Sequence, residues 1–326
     1  MVTAIEPVLR QQLFDRRHRL EIAATSFHEN GEVTRLLKEV DAALQRMEDG
    51  TYGICEVCHD GVETERLIAN PLARLCLDHL SPVEQKALED DLTLAAQIQT
   101  GLLPQPTQRI GGWDIAFHYQ PHGLVSGDYC DLINGDDGSL HFVLGDVSGK
   151  GVAASMLMAN LQAMFRTLIS TSLPLDQMVE RASRVFCEST LPTHYATLVC
   201  GKASQDGEVE LCNAGHLPPL LVRDGTVQEI EATGLPVGIF CDERFSVNRF
   251  QMQKGDALLL YTDGFSESQN QSGAEYGKER LSRLLSESHV LSGKDLLGAC
   301  LRDLHVFGGG HPASDDLTLM SLQRVA

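Results

Sequence analysis

Two apolar runs in this chain each end in an aspartate. Leu140 to Gly145 leads into Asp146, and Ala257 to Thr262 leads into Asp263, with no acid before that point in either run. Runs of this kind predict buried strands, and an acid at the end of one projects from a sheet edge into the following loop. Ser126-Gly127-Asp128-Tyr129 and Ser314-Asp315-Asp316-Leu317-Thr318 add acids beside a glycine or just before a strand. The backbone can approach a common centre at such places, so Asp128, Asp146, Asp263 and Asp315 suggest a metal site. Carboxylates without imidazole or thiolate prefer Mg²⁺ or Mn²⁺, and their mutual repulsion would be resolved by two bound cations. Taken singly, each Asp-Gly reads as a turn with a solvated acid; the joint arrangement points to chemistry.

A second constraint lies near the amino terminus. Cys55 and Cys58 form C-x2-C, and Cys76 and His79 form C-x2-H after a ribbon-length loop. Two such knuckles, in a stretch from Tyr52 to Leu80 with too few apolar residues for its own core, read as a closed structural zinc site. Before them, residues 4–28 suit one helix, and Val33, Leu36, Leu37, Val40, Leu44 and Met47 recur at the spacing of another. Asn30-Gly31 reads as the turn between them.

Ser81-Pro82-Val83-Glu84 has the features of a helix start, and the helix should run to about Leu103, where Pro104 and Pro106 stop it. Leu88, Leu92, Ala95 and Leu102 keep a 3-4 alternation with Gln99 in the remaining slot, a pattern that suits either a two-stranded coiled coil or packing on its own domain. Beyond it come short β-type runs at Tyr195–Cys200, Val209–Cys212, Leu217–Val222 and Leu317–Leu322. Helical stretches are expected at Val152–Ser170 and Leu175–Glu188, so the second domain mixes strands and helices. The expected organisation is 1–80, a linker helix over 81–107, and a catalytic domain over 108–326.

With 326 residues and 43% hydrophobic composition, the chain can build a substantial core. Its 26 basic against 45 acidic residues argue against a nucleic-acid partner and suit hard cations. Nine cysteines without a leader segment argue for a reducing, cytoplasmic setting and against a disulfide framework. No apolar run approaches the roughly 20 residues that cross a bilayer, so no membrane role is expected. Cys130, Cys187, Cys200, Cys212, Cys241 and Cys300 read as structural, and Met156, Met158 and Met164 as core.

Several motifs together resemble the SpoIIE/RsbU-type PPM protein phosphatases. They are Ser126-Gly127-Asp128-Tyr129-Cys130-Asp131, Gly145-Asp146-Val147-Ser148-Gly149-Lys150-Gly151, Asn213-Ala214-Gly215-His216, Tyr261-Thr262-Asp263-Gly264 and Ser314-Asp315-Asp316-Leu317-Thr318. Leu94 to Pro104 also looks like the helix that enters that family's catalytic domain. The resemblance implies an α+β fold, a four-layer α-β-β-α sandwich of two antiparallel sheets, with metals held at one edge. It further implies that Asp128 and Asp146 bridge or ligate the ions, that the Val147 carbonyl joins them, and that Asp263 and Asp315 complete the site.

Gly50-Thr51-Tyr52-Gly53 and Arg66 to Pro71, around the cysteine pairs, resemble the TraR/DksA zinc finger, with His79 where that family usually has a fourth cysteine. In that family a helical hairpin enters the RNA polymerase secondary channel with acids at its tip. This hairpin is short and turns at His28-Glu29-Asn30-Gly31, which argues against polymerase contact.

The implied activity is hydrolysis of phosphoserine or phosphothreonine on a regulatory protein, a STAS-domain anti-sigma antagonist, by water activated at a binuclear centre. No cysteine is followed six positions later by arginine, which closes the thiol route. Gly145–Gly151 is one residue short of a nucleotide-binding P-loop. The rival reading is a transcription-associated zinc-finger protein with a scaffold domain. The helix over 81–103 is a candidate homodimer contact, and Asp316 and His216 are candidates for lesser roles.

Overall fold

The computed structural model describes residues 6–26, 31–135, 137–171, 173–310 and 314–326. The expected turn at His28-Glu29-Asn30 lies outside the described residues. The chain divides into two compact units, Met1–Asp90 and Asp91–Ala326.

In the first unit, α1 (Glu6–Ser26) and α2 (Gly31–Glu48) pack through Leu9 and Leu13 on one side and Val40, Ala43, Leu44 and Met47 on the other. Burial at this 3-4 spacing is what makes an amphipathic helix stable in a small unit. The segment after α2 has a core after all. Tyr52, Cys55, Val62, Leu67 (in α3, Thr64–Ala69) and Cys76 join the same apolar cluster, so finger and hairpin share one interior. The Tyr52 hydroxyl donates to the Pro71 carbonyl at 2.9 Å, fixing the loop between the knuckles.

Helix α4 (Pro82–Leu102) opens with a reciprocal cap: the Glu84 amide donates to Ser81 Oγ at 3.3 Å and the Ser81 amide to Glu84 Oε2 at 3.1 Å. In its second half Gln99 is buried, whereas Leu94 and Ile98 are exposed. The stripe expected to seat a partner helix is thus turned, at Gln99, into its own domain.

The second unit holds two antiparallel sheets. One is built, in spatial order, from β1 (Thr107–Ile110), β2 (Trp113–Gln120), β11 (Leu317–Arg324), β10 (Ala257–Tyr261), β7 (Leu220–Arg223) and β8 (Thr226–Glu229). The other runs β3 (Asp128–Asn134), β4 (Leu140–Val147), β5 (Ala196–Ala203), β6 (Glu208–Ala214) and β9 (Asn248–Gln251).

Three apolar layers order this unit. Trp113, Ile115, Phe142, Leu144, Leu258, Leu260 and Met320 fill the space between the sheets. Helices α5 (Gly151–Ile169) and α6 (Leu175–Ser189) cover the β3–β9 sheet through Met158, Phe165, Val179 and Phe186. Helices α8 (Lys278–Glu287) and α9 (Gly293–Gly308) cover the other through Leu281, Leu285, Leu297 and Cys300. The result is the α-β-β-α sandwich, with both faces of each sheet buried.

Three expectations need correction. Helix α5 is, by length and composition, apolar enough to cross a bilayer; in this fold Met158, Leu161 and Phe165 bury its inner face. Met156 on the same helix is 68% exposed and is not core, because it lies on the opposite face from Met158. Cys187 and Cys241 are not isolated: they form a disulfide, while the other seven cysteines are free.

Candidate active site

The β3–β4 register sets Asp128 directly opposite Asp146. Like charges opposite one another destabilise a strand pair, so the arrangement opposes folding and marks a site that serves something else. The other sheet contributes from its two central strands. β10 ends at Tyr261 and passes through Thr262 into the short helix α7 (Asp263–Ser266), and β11 starts directly after Asp315-Asp316. Both sheets therefore deliver acids to one edge of the sandwich.

The two sheets are stitched at Asp128, which is 1% exposed. Its Oδ2 accepts from the Thr262 hydroxyl at 3.0 Å and from the Thr318 hydroxyl. Burial holds the Asp128 carboxyl well above the usual carboxylate range, and the Thr318 hydroxyl works against that shift. Asp146 is pushed up to about 7, first by burial and then by the charges of Asp263, Asp315 and Asp316. Asp263 is raised by burial and by Asp315.

Against these acids stands Lys150, whose Nζ donates to Asp315 Oδ2 at 2.7 Å and to the Ser314 carbonyl at 3.2 Å. One ammonium does not balance the cluster. Oxygen donors with excess negative charge and depressed acidity are what Mg²⁺ or Mn²⁺ requires, so the residues fit hard cations. Val147 ends β4, directly after Asp146. A side chain at Gly127 would sit 3.0 Å from the Val147 carbonyl oxygen and 3.4 Å from Asp146 Oδ1, so only glycine lets the Asp128 loop approach so closely. Gly264 has the same role on the other sheet, since a Cβ there would run into the Asp316 carbonyl oxygen at 1.8 Å.

Asp316 has a different task. Its Oδ1 accepts from the His122 amide at 2.7 Å and its Oδ2 from the Gly127 amide at 3.0 Å, so it ties the loop before Asp128 to the start of β11. Gln99 holds the same loop from α4: its Nε2 donates to the Ser126 carbonyl at 2.7 Å and its Oε1 accepts from the Ser126 amide at 3.0 Å.

A cleft of about 310 Å³ opens beside the acids, lined by Asp146, Asp263, Tyr195, Thr197, His216 and Glu267 among others. His216 is buried and held near 4, chiefly by burial, so it is neutral at physiological pH. Its Nε2 donates to the Tyr261 carbonyl at 3.1 Å, which leaves Nδ1 to accept from the Thr197 hydroxyl at 2.8 Å. Thr197 is the strand partner of Asp146, so His216 positions that side of the cleft. A larger cavity of about 370 Å³ between α6 and the β3–β4 turn holds none of the four aspartates, so size does not locate the site.

In the first unit, Cys55, Cys58, Cys76 and His79 bring their ligand atoms within 4.8 Å of one another. Among the described residues this is the single group of three or more His, Cys, Asp or Glu ligand atoms drawn so close together. The Cys58 and Cys76 sulfurs are 3.8 Å apart, the edge of a tetrahedron with Zn–S arms of about 2.3 Å. The Cys58 and Cys76 amides pull the Cys55 thiol down to about 6. The donor set and its spacing fit zinc.

The residues that sequence reasoning left unassigned are Thr197, Thr262, Thr318 and Gln99. Two of them, Thr262 and Thr318, stood inside quoted motifs, but a threonine beside a candidate ligand carries no signal of which partner it will meet.

The family model described as Prokaryotic dksA/traR C4-type zinc finger matches residues 50–78, a span that takes in the three cysteines and stops one residue before His79. Protein IcfG of Synechocystis is 25% identical over 263 residues, covering 72% of this chain but only 41% of its own length. Phosphoserine phosphatase RsbU of Bacillus subtilis is 26% identical over 243 residues, covering 74% of this chain and 72% of its own. The solved SiaA-PP2C domain of Pseudomonas aeruginosa superposes with a TM-score of 0.65 at 20% identity, over 74% of this chain and 98% of that one, and so shares the fold. The family model described as Stage II sporulation protein E matches residues 136–325, a span that contains Asp146, Asp263 and Asp315 and begins just after Asp128. With more than half of its length inside that match, this chain belongs to the SpoIIE family.

Proposed function

We propose that the chain is a metal-dependent protein phosphatase that removes phosphate from phosphoserine or phosphothreonine on a regulatory protein. The observation that carries this reading is the gathering of Asp128, Asp146, Asp263 and Asp315 at one sandwich edge beside an open cleft, with Asp146 pushed up to about 7. RsbU, similar over most of both chains, is named a phosphoserine phosphatase, which supports the same class of substrate.

In this reading Asp128, Asp146, Asp263, Asp315 and the Val147 carbonyl would hold two Mn²⁺ or Mg²⁺ ions. When bound, the ions supply a water that is deprotonated near neutral pH and neutralise charge on the phosphoryl oxygens. The mutual repulsion of several carboxylates, which after burial raises Asp146 and Asp263 together, favours two ions over one. Thr262 and Thr318 keep Asp128 in place; Asp316 and Gln99 keep its loop in place. Neutral His216 orients Thr197 beside Asp146. Ser148, whose amide donates to the Tyr195 carbonyl at 2.9 Å and whose hydroxyl accepts from the Tyr195 amide at 3.0 Å, shapes the lip where a phosphorylated segment enters. The free cysteines of this domain take no part, since burial holds Cys130, Cys200, Cys212 and Cys300 protonated.

The substrate is proposed to be a STAS-like anti-sigma antagonist, with residues 1–80 as a zinc-dependent regulatory module, 81–107 as the connecting helix and 108–326 as the catalytic domain of a cytoplasmic regulator. Exposed Leu94 and Ile98 on α4 support a homodimer contact, which light scattering of Ile98→Glu against the parent chain would test. Phosphate release from a phosphoserine peptide with Mn²⁺ is the direct assay. Turnover that survives Asp146→Ala would refute the assignment.

A further inference from the structure

Of nine cysteines, Cys187 at the end of α6 and Cys241 are joined, across a sequence separation of 54. Cys241 is exposed and Cys187 is half-buried, whereas most of the free thiols of this unit are fully enclosed. Cys241 lies in the segment between β8 and β9, residues 230–247, which has no helix or strand of its own. Ordered stretches of that length without secondary structure are uncommon and tend to be functional.

The segment braces the cleft wall. The Thr233 and Gly234 amides donate to the Asn213 carbonyl at 2.8 and 3.2 Å. Asn213 in turn holds His216, accepting from its amide at 2.8 Å and donating to its carbonyl at 3.2 Å. Val237 exchanges two backbone hydrogen bonds with Ala196, at 2.8 and 2.9 Å, and Ala196 sits between the cleft residues Tyr195 and Thr197. The Gly238 amide reaches Ser183 of α6 at 3.4 Å, beside the covalent tie.

We propose that Cys187 and Cys241 are a reversible thiol–disulfide site, addressable by a small-molecule thiol couple, which locks the segment bracing the cleft wall against α6. Opening proceeds by attack of an external thiolate on the sulfur of Cys241, the more exposed residue of the pair. The S–S bond breaks and Cys187 leaves as a thiolate that takes a proton. A second external thiol then displaces Cys241 from the mixed disulfide. Two electrons and two protons pass from the external thiols, which become a disulfide. Closing is the reverse, with a small-molecule disulfide as oxidant. In a reducing compartment the pair would rest open and close under oxidising conditions.

The test uses the full-length, zinc-loaded chain equilibrated in reduced and oxidised glutathione mixtures. Denaturing alkylation with peptide mapping and amide exchange of 231–247 are then measured at each ratio. The expected result is that Cys187 and Cys241 lose and regain alkylation together. Amide exchange in 231–247 should be at least about tenfold faster in the open state, because local opening is no longer held by a covalent tie. Cys241→Ser should exchange like the reduced parent in every mixture. If both cysteines alkylate across the whole range, the site is refuted. If exchange in 231–247 is the same in both states, or Cys241→Ser behaves like the oxidised parent, the lock is refuted. Nothing in these readouts depends on what the cleft hydrolyses.

Discussion

Replacing Asp146 by asparagine should stabilise the metal-stripped second unit at alkaline pH, although it removes a proposed ligand. The folded carboxyl keeps its proton up to about 7, while the unfolded chain releases it near 3.8. Between those values the folded state binds more protons, so stability falls as pH rises from about 4 to about 7 and is level above that. A shift of about three pKa units corresponds to about 4 kcal/mol, at 1.4 kcal/mol per unit. Part of that is shared with Asp263 and Asp315, so about 2 kcal/mol is expected from Asp146 alone. Trp113 is the chain's one tryptophan and is buried in the catalytic unit, so its fluorescence reports that unit and not the finger. Urea denaturation of chelator-treated protein at pH 5 and pH 8 should show the parent losing stability and Asp146→Asn losing much less. Added Mn²⁺ should restore the parent most strongly at pH 8, where no proton competes. Equal pH slopes for parent and variant would show that Asp146 does not carry the strain assigned to it.

Gln99→Ala should destabilise the catalytic unit by about 2–4 kcal/mol, because it leaves the Ser126 amide and carbonyl buried without partners. It should also weaken Mn²⁺ binding measured calorimetrically, since that loop leads into Asp128. Arg166→Met should cost about 3 kcal/mol in urea denaturation: Arg166 makes two bonds of 2.8 Å to Asp131, whose side chain is fully buried. Cys76→Ser should abolish zinc binding in an absorbance assay with a cobalt substitute and lose helical signal from the first unit. The Trp113 transition should be unchanged.

Much of the site was legible because its acids interrupt an otherwise apolar pattern. Asp146 and Asp263 stand out at the ends of runs that tolerate no charge, and a strand end is a strong positional signal. β3 was harder to see, because Asp128, Asp131 and Asn134 break its pattern; only the partnership of Asp131 with Arg166 allows an acid in its middle. β1, β2, β8 and β9 alternate or lie at edges, where burial on one side leaves a weak sequence trace. The role of Gln99 was hidden by its heptad position: a polar residue in an apolar stripe reads as a defect until its partner, the backbone of Ser126, is known. The Cys187–Cys241 pair was invisible for a related reason, since two cysteines 54 residues apart carry no spacing rule.

The stitch at Asp128 has a consequence for how the protein matures. Asp128 and Asp146 belong to one sheet, Asp263 and Asp315 flank the ends of strands of the other, and the threonines that orient Asp128 come from the side of that second sheet. A chain with both sheets formed but not yet docked would offer each ion half a set of donors, wrongly turned. Divalent cations should therefore bind late and selectively to the finished sandwich. They would slow its unfolding and raise its apparent stability by mass action, but could not template its assembly. Metal supply would then govern how long the folded protein lasts once made, and leave the yield of folding to the two sheets themselves.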